Sequence, residues 1–347
     1  MTKLATSLLC FTLLLNNLFA ETVSKINCAD EDYNTLQLWE DDKDGTLSDI
    51  QTASCYDDQG DLTAGVTIAG SLAGATFYMK ITAPVGERHD GTDGSGFCIN
   101  PSGTGDLIII DDHYVVIEWL ELTDWAGDWA EDNAIYSSED NYLTIRNNLI
   151  HTPIGGDADC YAGGILLNYF GTNCKIYNNI IYETGAEGMY KGIKCAYSDD
   201  TNLIYNNTII NMSISGAIGI QSEHATFEPM LINNYVGNCV TDYSGYFNAS
   251  SSNNISEDAT GDDWGSNCST GAVIADQFDS VTSGSEDLHL KTGADCIDAG
   301  TSLSGTFTND IDNDTRSGTW DVGADEVVAA VTPAAKDQAI QIQIFED

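Results

Sequence analysis

The clearest feature of the chain is a block of alternating apolar and polar residues that ends in a pair of asparagines and recurs at a nearly constant period. The pairs are Asn147-Asn148, Asn178-Asn179, Asn206-Asn207 and Asn233-Asn234, at spacings of 31, 28 and 27 residues. An apolar residue stands two positions before each first asparagine, and another stands three positions after it. The first column contains Ile145, Ile176, Ile204 and Leu231, and the second contains Ile150, Ile181, Ile209 and Val236. Fixed apolar columns at this period predict the stacked coils of a solenoid, in which each coil buries its apolar face against its neighbours.

A second strand is predicted upstream of each asparagine pair. Because side chains alternate along a strand, its core positions are Ile135, Ile165, Ile193 and Ile220, each followed two residues later by Ser137, Leu167, Cys195 or Ser222. The residues expected to face outward are Tyr136, Leu166, Lys194 and Gln221. Asparagine suits the corner because it tolerates left-handed backbone better than any residue except glycine, and stacked amides can hydrogen-bond along the axis. Ordinary hairpin turns are the alternative, but they would not carry the same apolar frame four times.

The whole pattern predicts an all-β protein, a single-stranded right-handed parallel β-helix over residues 21–326. Within it we expect irregular early coils over 27–125, regular coils over 126–250 and closing coils over 251–326. Five prolines and 33 glycines suit such a many-turned chain. A short helix over 33–41 is expected to cap the N-terminal coil, since a bare terminal coil exposes a sheet edge.

The two ends of the chain differ from the solenoid. Residues 1–20 have the layout of a cleaved secretory signal, with Lys3, an apolar run over 4–15 and the small residue Ala20. The run is shorter than the roughly 20 residues that a membrane-spanning helix needs, so we expect a secreted or cell-surface protein without membrane insertion after cleavage. The C-terminal tail, 327–347, is interpreted either as a frayed terminus or as a strand that pairs with a neighbouring copy.

The charge balance restricts the partners. The chain has 54 acidic and 12 basic residues, counting Lys and Arg, and a formal net charge of −42. Nucleic acid is excluded as a partner because phosphate binding needs clustered Lys and Arg. A charge of this size repels itself unless salt or divalent cations screen it, so Ca²⁺ is a candidate cofactor, and a well-solvated acidic surface without bound Ca²⁺ is the alternative. Nine cysteines follow the signal, and this odd number leaves at least one thiol unpaired within the chain.

The end of the solenoid has two distinctive motifs, CIDAG at 296–300 and WDVGADE at 320–326. With these motifs and the asparagine-marked body, residues 28–326 resemble secreted right-handed parallel β-helix proteins of the pectate-lyase-like superfamily. Residues 39–90 also resemble the first coils of uncharacterised bacterial and environmental members. The superfamily includes polysaccharide lyases, glycoside hydrolases, epimerases, phage tailspikes and adhesins. The resemblance therefore implies a fold and an extracellular setting, but no single reaction.

Loops that leave the same corner of successive coils project on one face, and here they are rich in acids and aromatic rings. Sugars stack on exposed rings and hydrogen-bond to carboxylates, so this face is the predicted binding site for a polysaccharide or a cell-surface glycan. The residues expected to bind it are Trp125, Trp129, Asp157, Asp159, Tyr161 and Glu187. Solvated loops whose rings fold over the coil are the alternative.

Cleavage of a bound sugar would take one of two forms. A lyase needs a base that removes the proton α to a uronate carboxylate and a cation that stabilises the enolate. The candidate bases are Lys194, Lys191 and His151, with Ca²⁺ on Asp157 and Asp159, but the scarcity of Lys and Arg weakens this scheme. A hydrolase needs two carboxylates, which 54 acids supply without any information about their role. The alternative function is a non-enzymatic structural or adhesive protein that self-associates into filaments through its coil ends or its tail.

One acidic run has the spacing of a calcium-binding loop. Asp310, Asp312, Asp314 and Asp321 occupy positions 1, 3, 5 and 12 of such a loop, and Thr315 stands where glycine is expected at position 6. The alternative is a closing turn in which the Asp side chains accept hydrogen bonds from backbone amides.

Overall fold

A computed structural model of the chain describes residues 20–101, 103, 105–125, 131–138, 140–153, 161–169, 171–184, 188–197, 201–226 and 228–327. The side chains of Glu131 and Tyr161 are not described. The predicted signal up to residue 19 and the tail from residue 328 lie outside these ranges.

Short strands make up nearly all of the regular structure. In chain order they are β1 (Glu21–Ile26), β2 (Gly45–Thr46), β3 (Ile50–Cys55), β4 (Val66–Ile68), β5 (Ser71–Leu72), β6 (Met79–Thr82), β7 (Cys98–Ile99), β8 (Ile108–Ile110), β9 (Val115–Glu118), β10 (Glu121–Leu122), β11 (Glu131–Ser137), β12 (Thr144–Arg146), β13 (Leu149–His151), β14 (Tyr161–Leu167), β15 (Lys175–Tyr177), β16 (Ile180–Tyr182), β17 (Met189–Cys195), β18 (Leu203–Tyr205), β19 (Thr208–Ile210), β20 (Ile218–Ser222), β21 (Met230–Ile232), β22 (Tyr235–Gly237), β23 (Thr241–Gly245), β24 (Ile255–Ser256), β25 (Phe278–Thr282) and β26 (Ser285–Leu290). Among the described residues, the helices are α1 (Leu36–Asp41) and α2 (Ile274–Gln277), and a 3₁₀ turn lies at Gly261–Asp263. In the described part of the chain, no helix is long and apolar enough to cross a bilayer.

Three parallel sheets run the length of the molecule. Sheet 1 has the order β1-β3-β6-β9-β12-β15-β18-β21, sheet 2 the order β24-β22-β19-β16-β13-β10-β7, and sheet 3 the order β23-β20-β17-β14-β11-β8-β4. Each regular coil adds one strand to sheet 3, then to sheet 1, then to sheet 2, as β11, β12 and β13 do in turn. The chain winds through about seven coils, and the predicted all-β parallel β-helix is confirmed.

The predicted apolar columns are vertical neighbours in the structure. Ile145 pairs with Ile176, and Ile176 pairs with Ile204, in sheet 1. The columns of the other two sheets are also in register, with Ile150, Ile181, Ile209 and Val236 in sheet 2 and Ile135, Ile165, Ile193 and Ile220 in sheet 3. All of them are buried in one core. A single coil could not bury these side chains alone, so the stacking of coils supplies the hydrophobic stabilisation.

The asparagine pairs form the corner between sheets 1 and 2, and the two members of a pair have different roles. The first member has a positive φ, for example 54° at Asn147 and 53° at Asn178, which is the left-handed conformation that turns the chain sharply. The second member is buried, and its amide donates to the amide of the next coil. The resulting ladder has Nδ2 to Oδ1 distances of 2.9–3.0 Å and comprises Asn148, Asn179, Asn207, Asn234 and Asn254.

Helix α1 caps the N-terminal end of the solenoid, as predicted. It lies along β4, which is the edge strand of sheet 3. The side chain of Gln37 accepts a hydrogen bond from the amide of Thr67, and that of Glu40 accepts one from the amide of Ala69, both at 2.8 Å. The helix therefore pairs backbone groups that an open sheet edge would expose.

The closing segment, residues 272–326, differs from the expectation of further coils. Strands β25 and β26 form an antiparallel hairpin, and Phe278 and Leu288 of this hairpin belong to one buried apolar cluster with Ile180 and Tyr182 of sheet 2, on its outer side. The ring of Phe278 packs edge-on against that of Tyr235 at 5.1 Å. The chain then crosses the asparagine corner, where the Nδ2 of Asn206 donates to two backbone carbonyls of this segment at 3.0 Å. The segment thus covers the side of the solenoid rather than its end.

Most of the described cysteines are buried, whereas Cys239 and Cys268 are partly buried. Burial raises the pKa of the Cys55, Cys174 and Cys296 thiols. No disulfide joins any of the following described cysteines: Cys28, Cys55, Cys98, Cys174, Cys239, Cys268 and Cys296. Cys160 lies outside the described residues.

Several buried carboxyl groups make the stability of the fold depend on pH. Burial raises the pKa of Glu40, Asp140 and Asp242 to about 7, whereas carboxyl groups in unfolded chains titrate near about 4. Because the folded pKa is the higher one, each group contributes stability that is complete below about pH 4 and is lost as the pH rises through about 7. We expect the calorimetric melting temperature, measured in EDTA, to fall by several degrees between pH 5 and pH 8. A melting temperature that rises over this interval would contradict the expectation.

Candidate functional site

The outer face of sheet 1 forms a continuous surface across β9, β12 and β15, which we call the sheet 1 groove. Thr144 and Arg146 are successive outward residues of β12 and lie about 7 Å apart. Thr144 lines a cavity at one end of this surface, and Arg146 lines a second cavity at the other end. A single strand therefore joins the two cavities.

The first end of the groove is aromatic and has a volume of about 460 Å³. Tyr114 and Tyr142 line it, with their rings stacked at a centroid distance of 4.5 Å and only 4° between the ring planes. Both stand just before a strand of sheet 1 in successive coils, and Tyr142 is 45% exposed. Lys175 lines the same cavity. An exposed pair of stacked rings offers an apolar face on which a sugar ring can pack.

The second end of the groove is a polar cavity of about 250 Å³ that contains two arginines. Arg146 is held in place by its neighbours, since its Nε donates to Glu118 Oε2 at 2.6 Å and its Nη1 donates to Tyr177 Oη at 2.8 Å. Glu118 is buried beneath it. This carboxylate balances the charge of one arginine, and the cavity keeps a net positive charge.

Arg88 is the second arginine, and the protein accepts only part of the hydrogen bonds that its guanidinium can donate. Its guanidinium lies over the ring of Trp119 at 4.3 Å, and its Nε donates to Ala83 O at 3.2 Å. The two terminal nitrogens have no hydrogen-bond partner in the described part of the chain. Burial lowers the pKa of Arg88, and the positive charge of Arg146 also lowers it. A planar fork of free N–H donors matches the geometry of a carboxylate or sulfate group.

The closing segment forms one wall of the groove. Phe307, Asn309 and Asn313 line the arginine cavity. A neighbouring cavity of about 230 Å³ shares Arg88 and Trp119 with it and extends the groove along Asn313. The groove therefore depends on the docking of the closing segment on the side of the solenoid.

The three predicted bases do not converge. Lys191 and Lys194 lie on β17 in sheet 3, and His151 lies on β13 in sheet 2. Lys191 Nζ donates to Gly216 O at 3.1 Å, and Lys194 Nζ lies 3.3 Å from Glu223 Oε1. The two lysines thus lie on one sheet and the histidine on another, and neither sheet forms the sheet 1 groove.

The predicted carbohydrate-binding loops are described only in part. Trp125 is buried, and its Nε1 donates to Asp132 O at 3.3 Å, so its ring faces the core and offers no surface to a sugar. This position corrects the prediction for that residue. The others lie outside the described residues, either wholly (Trp129, Asp157, Asp159 and Glu187) or in their side chain (Tyr161), and their sugar contacts stay predictions.

The four carboxylates of the predicted calcium loop do not surround one point. Asp310 Oδ1 accepts hydrogen bonds from the amides of Asp312 and Asp314 at 3.0 and 2.7 Å. Asp321 Oδ1 accepts one from the amide of Asp298 at 2.7 Å. Asp314 is exposed, and Asp312 contacts His289 at 3.1 Å. Because backbone amides occupy the oxygens of Asp310 and Asp321, the geometry matches the alternative, a closing turn.

The groove residues Arg88, Arg146 and Tyr142 were missed in the sequence. The sequence does contain one sign of the aromatic end of the groove, since tyrosine recurs one coil apart at Tyr114 and Tyr142. This recurrence can be recognised only when the register of β9 against β12 is known. No protein family matches the chain, and a search of curated proteins found no match. The function is therefore inferred from the geometry of the groove.

Proposed function

We propose that the chain is an extracellular β-helix protein, of the pectate-lyase-like kind, that binds an anionic polysaccharide in the sheet 1 groove. The observation that carries this proposal is the unpaired guanidinium fork of Arg88 beside Arg146. The chain has only 12 basic residues against 54 acidic ones. The two arginines share a partly buried cavity with one carboxylate, that of Glu118, so one positive charge is left over that a bound anion would balance.

Each end of the groove would bind a different part of a sugar. The fork of Arg88 would take the carboxylate of a uronic acid or a sulfate ester, and Arg146 would add a second positive charge. The stacked rings of Tyr114 and Tyr142 would pack against the apolar face of a neighbouring sugar ring, with Lys175 beside them. A polymer lying along β12 would contact both ends.

The negative charge of the whole chain is compatible with this ligand. At physiological ionic strength the field of an exposed charge is screened within about 8 Å. The acidic surface outside the groove therefore acts weakly on a bound sugar, whereas contacts inside the cavity are short and poorly screened. We expect affinity to decrease at low salt, where the acidic surface repels a polyanion over a longer range.

Binding to uronic-acid oligosaccharides, measured by titration calorimetry, tests the proposal. Replacement of Arg88 by glutamine should weaken binding about 10- to 100-fold, because a charge-assisted hydrogen bond contributes about 1.5–3 kcal/mol. The variant Tyr142→Ala should also bind more weakly. Lys25→Ala is the matched control, since Lys25 pairs with Asp30 on the surface, outside the groove.

Two results would contradict the proposal. One is unchanged affinity of the Arg88→Gln variant, and the other is equal affinity for neutral oligosaccharides of the same length. The same samples report whether the polymer is cut, through the release of reducing ends. Filaments of the wild-type chain in electron micrographs, without any sugar binding, would favour the structural or adhesive alternative.

A further inference from the structure

Asp93, Glu121 and His151 bring three potential metal ligands together on the outer face of sheet 2. His151 ends β13, Glu121 begins β10 in the preceding coil, and Asp93 lies in the loop between β6 and β7. His151 Nε2 is 3.1 Å from Glu121 Oε1 and 3.8 Å from Asp93 Oδ1. Two ligands of a tetrahedral zinc ion are about 3.3 Å apart, since each bond is about 2.0 Å long. The three atoms are therefore close to the spacing that one ion requires.

Tyr182 gives independent evidence that a ligand belongs at this point. Its ring stacks on that of His151 at 5.0 Å with 8° between the planes. The side chain is fully buried, and its hydroxyl has no hydrogen-bond partner within the described ranges. Burial raises the pKa of Tyr182, and the charges of Asp93, Glu286 and Glu121 raise it further. Buried hydroxyls are nearly always paired, so an unpaired one beside potential ligands indicates a missing partner.

The charges at this point also call for a cation. The carboxylates of Asp93 and Glu121 lie beside one imidazole, and that of Glu121 is buried, where it also accepts a hydrogen bond from the amide of Gly94 at 3.0 Å. The carboxylate of Glu286 is buried as well, and its charge acts on Tyr182. Glu286 Oε1 has no hydrogen-bond partner in the described part of the protein. Carboxylates that share a site of low dielectric repel each other unless a proton or a cation intervenes. A cation bound by them would remove this repulsion.

His151 is oriented so that it can bind an ion. Its Nδ1 lies 3.1 Å from Thr152 Oγ1, which in turn lies 2.9 Å from Thr184 Oγ1. When Nδ1 carries the proton and donates to Thr152, the lone pair of Nε2 points toward Glu121 and Asp93. A hydrogen bond of this kind to the second ring nitrogen is the usual support of a metal-binding histidine.

The other group of potential ligands, around His289, has a different character. Its Nδ1 lies 2.5 Å from Asp287 Oδ1, and its Nε2 lies 3.1 Å from Asp312 Oδ2. The hydrogen bond with Asp312 is the main cause that raises the pKa of His289 to about 10. Both nitrogens then carry protons at neutral pH, and no lone pair is left for a metal. This group is an ion pair that holds the hairpin to the closing turn.

We infer that Asp93, Glu121 and His151 bind one divalent transition-metal ion of the class of Zn²⁺. The imidazole nitrogen selects such an ion over Ca²⁺ and Mg²⁺, which prefer oxygen ligands. A cleft of about 270 Å³ leads to the site and is lined by further carboxylates, those of Asp57, Asp61 and Asp124, which attract cations. Because Gly284, in the turn of the β25–β26 hairpin, also lines this cleft, the ion would lie between the solenoid and the hairpin of the closing segment.

Titration calorimetry of the full chain, stripped with EDTA, tests this site with ZnCl₂ as the probe. Excess CaCl₂ in the buffer occupies weak acidic sites on the surface. We expect one Zn²⁺ per chain, bound more tightly than Mn²⁺. Asp93→Asn should lower the Zn²⁺ affinity about tenfold or more, and this residue is 53% exposed, so the variant should fold. Asp124→Asn, in the same cleft, is the control and should change the affinity less than about threefold.

A second variant separates metal binding from folding. Tyr182→Phe removes only the unpaired hydroxyl, so the melting temperature of the metal-free chain should stay the same or rise. The increase in melting temperature on addition of ZnCl₂ should become smaller. The absence of saturable Zn²⁺ binding in excess Ca²⁺ would overturn the inference. Equal losses of affinity in Asp93→Asn and Asp124→Asn would overturn it as well.

Discussion

Replacement of Arg316 by methionine should lower the free energy of unfolding by about 3–5 kcal/mol, the usual cost of breaking a buried ion pair by removing one partner. The Arg316 side chain is fully buried in the closing segment. Its Nη2 donates to Asn178 Oδ1 at 3.2 Å and to Ala324 O at 2.7 Å, and its Nη1 donates to Glu326 Oε2 at 3.3 Å. Methionine fills a similar volume but donates no hydrogen bond, so a buried carboxylate and several acceptors would lose their partner.

Urea unfolding and limited proteolysis measure this effect. We expect the closing segment of the variant to be cut early, since Arg316 joins it to Asn178 at the corner of the solenoid. Lys291→Met is the matched control, because its ammonium is partly exposed and lies 3.9 Å from Asp276. A variant at Arg316 that is as stable and as resistant to protease as the control would show that the segment docks by other means.

Replacement of Asn179 by alanine should destabilise the chain by about 3 kcal/mol or more. Its Nδ2 donates to Asn207 Oδ1 and to Ile145 O, both at 3.0 Å, and its Oδ1 accepts from the amide and the Nδ2 of Asn148 at 3.1 and 3.0 Å. Each lost hydrogen bond costs about 1 kcal/mol, and a buried group left without a partner costs more. The substitution would also divide the asparagine ladder into two parts.

The matched control for the ladder is Asn168→Ala. Asn168 is half-buried and donates to Tyr136 Oη at 3.3 Å, so its replacement should cost less than about 1 kcal/mol. Urea unfolding of both variants measures how much the hydrogen bonds of the ladder contribute to stability. Equal losses of stability in the two would mean that the ladder fills space without adding specific hydrogen bonds.

The sequence was sufficient to predict the solenoid because its period and its core alternation are both local signals. Ile145, Ile176 and Ile204 recur at the spacing of one coil, and the asparagine that follows each marks the corner. The docking of the closing segment was missed, although a signal was present. Sheet 2 strands have adjacent apolar residues, as in Leu149-Ile150 and Ile180-Ile181, and a strand that is apolar on both faces is covered on both faces.

The candidate site was much harder to predict. Arg88 lies in an irregular loop after β6, and no periodicity relates it to Arg146, 58 residues later in the chain. Their proximity depends on how that loop folds against the corner, which is a tertiary property. The same holds for Asp93 and His151. Acidic residues are so frequent in this chain that a ligand set cannot be distinguished by composition.

Binding of an anionic sugar in the sheet 1 groove is tested most directly by a crystal structure of the protein with a uronic-acid oligosaccharide. We expect a sugar carboxylate within hydrogen-bond distance of the terminal nitrogens of Arg88 and a sugar ring packed against Tyr142. An oligosaccharide bound on another face of the solenoid, with the groove left to water, would contradict the proposal.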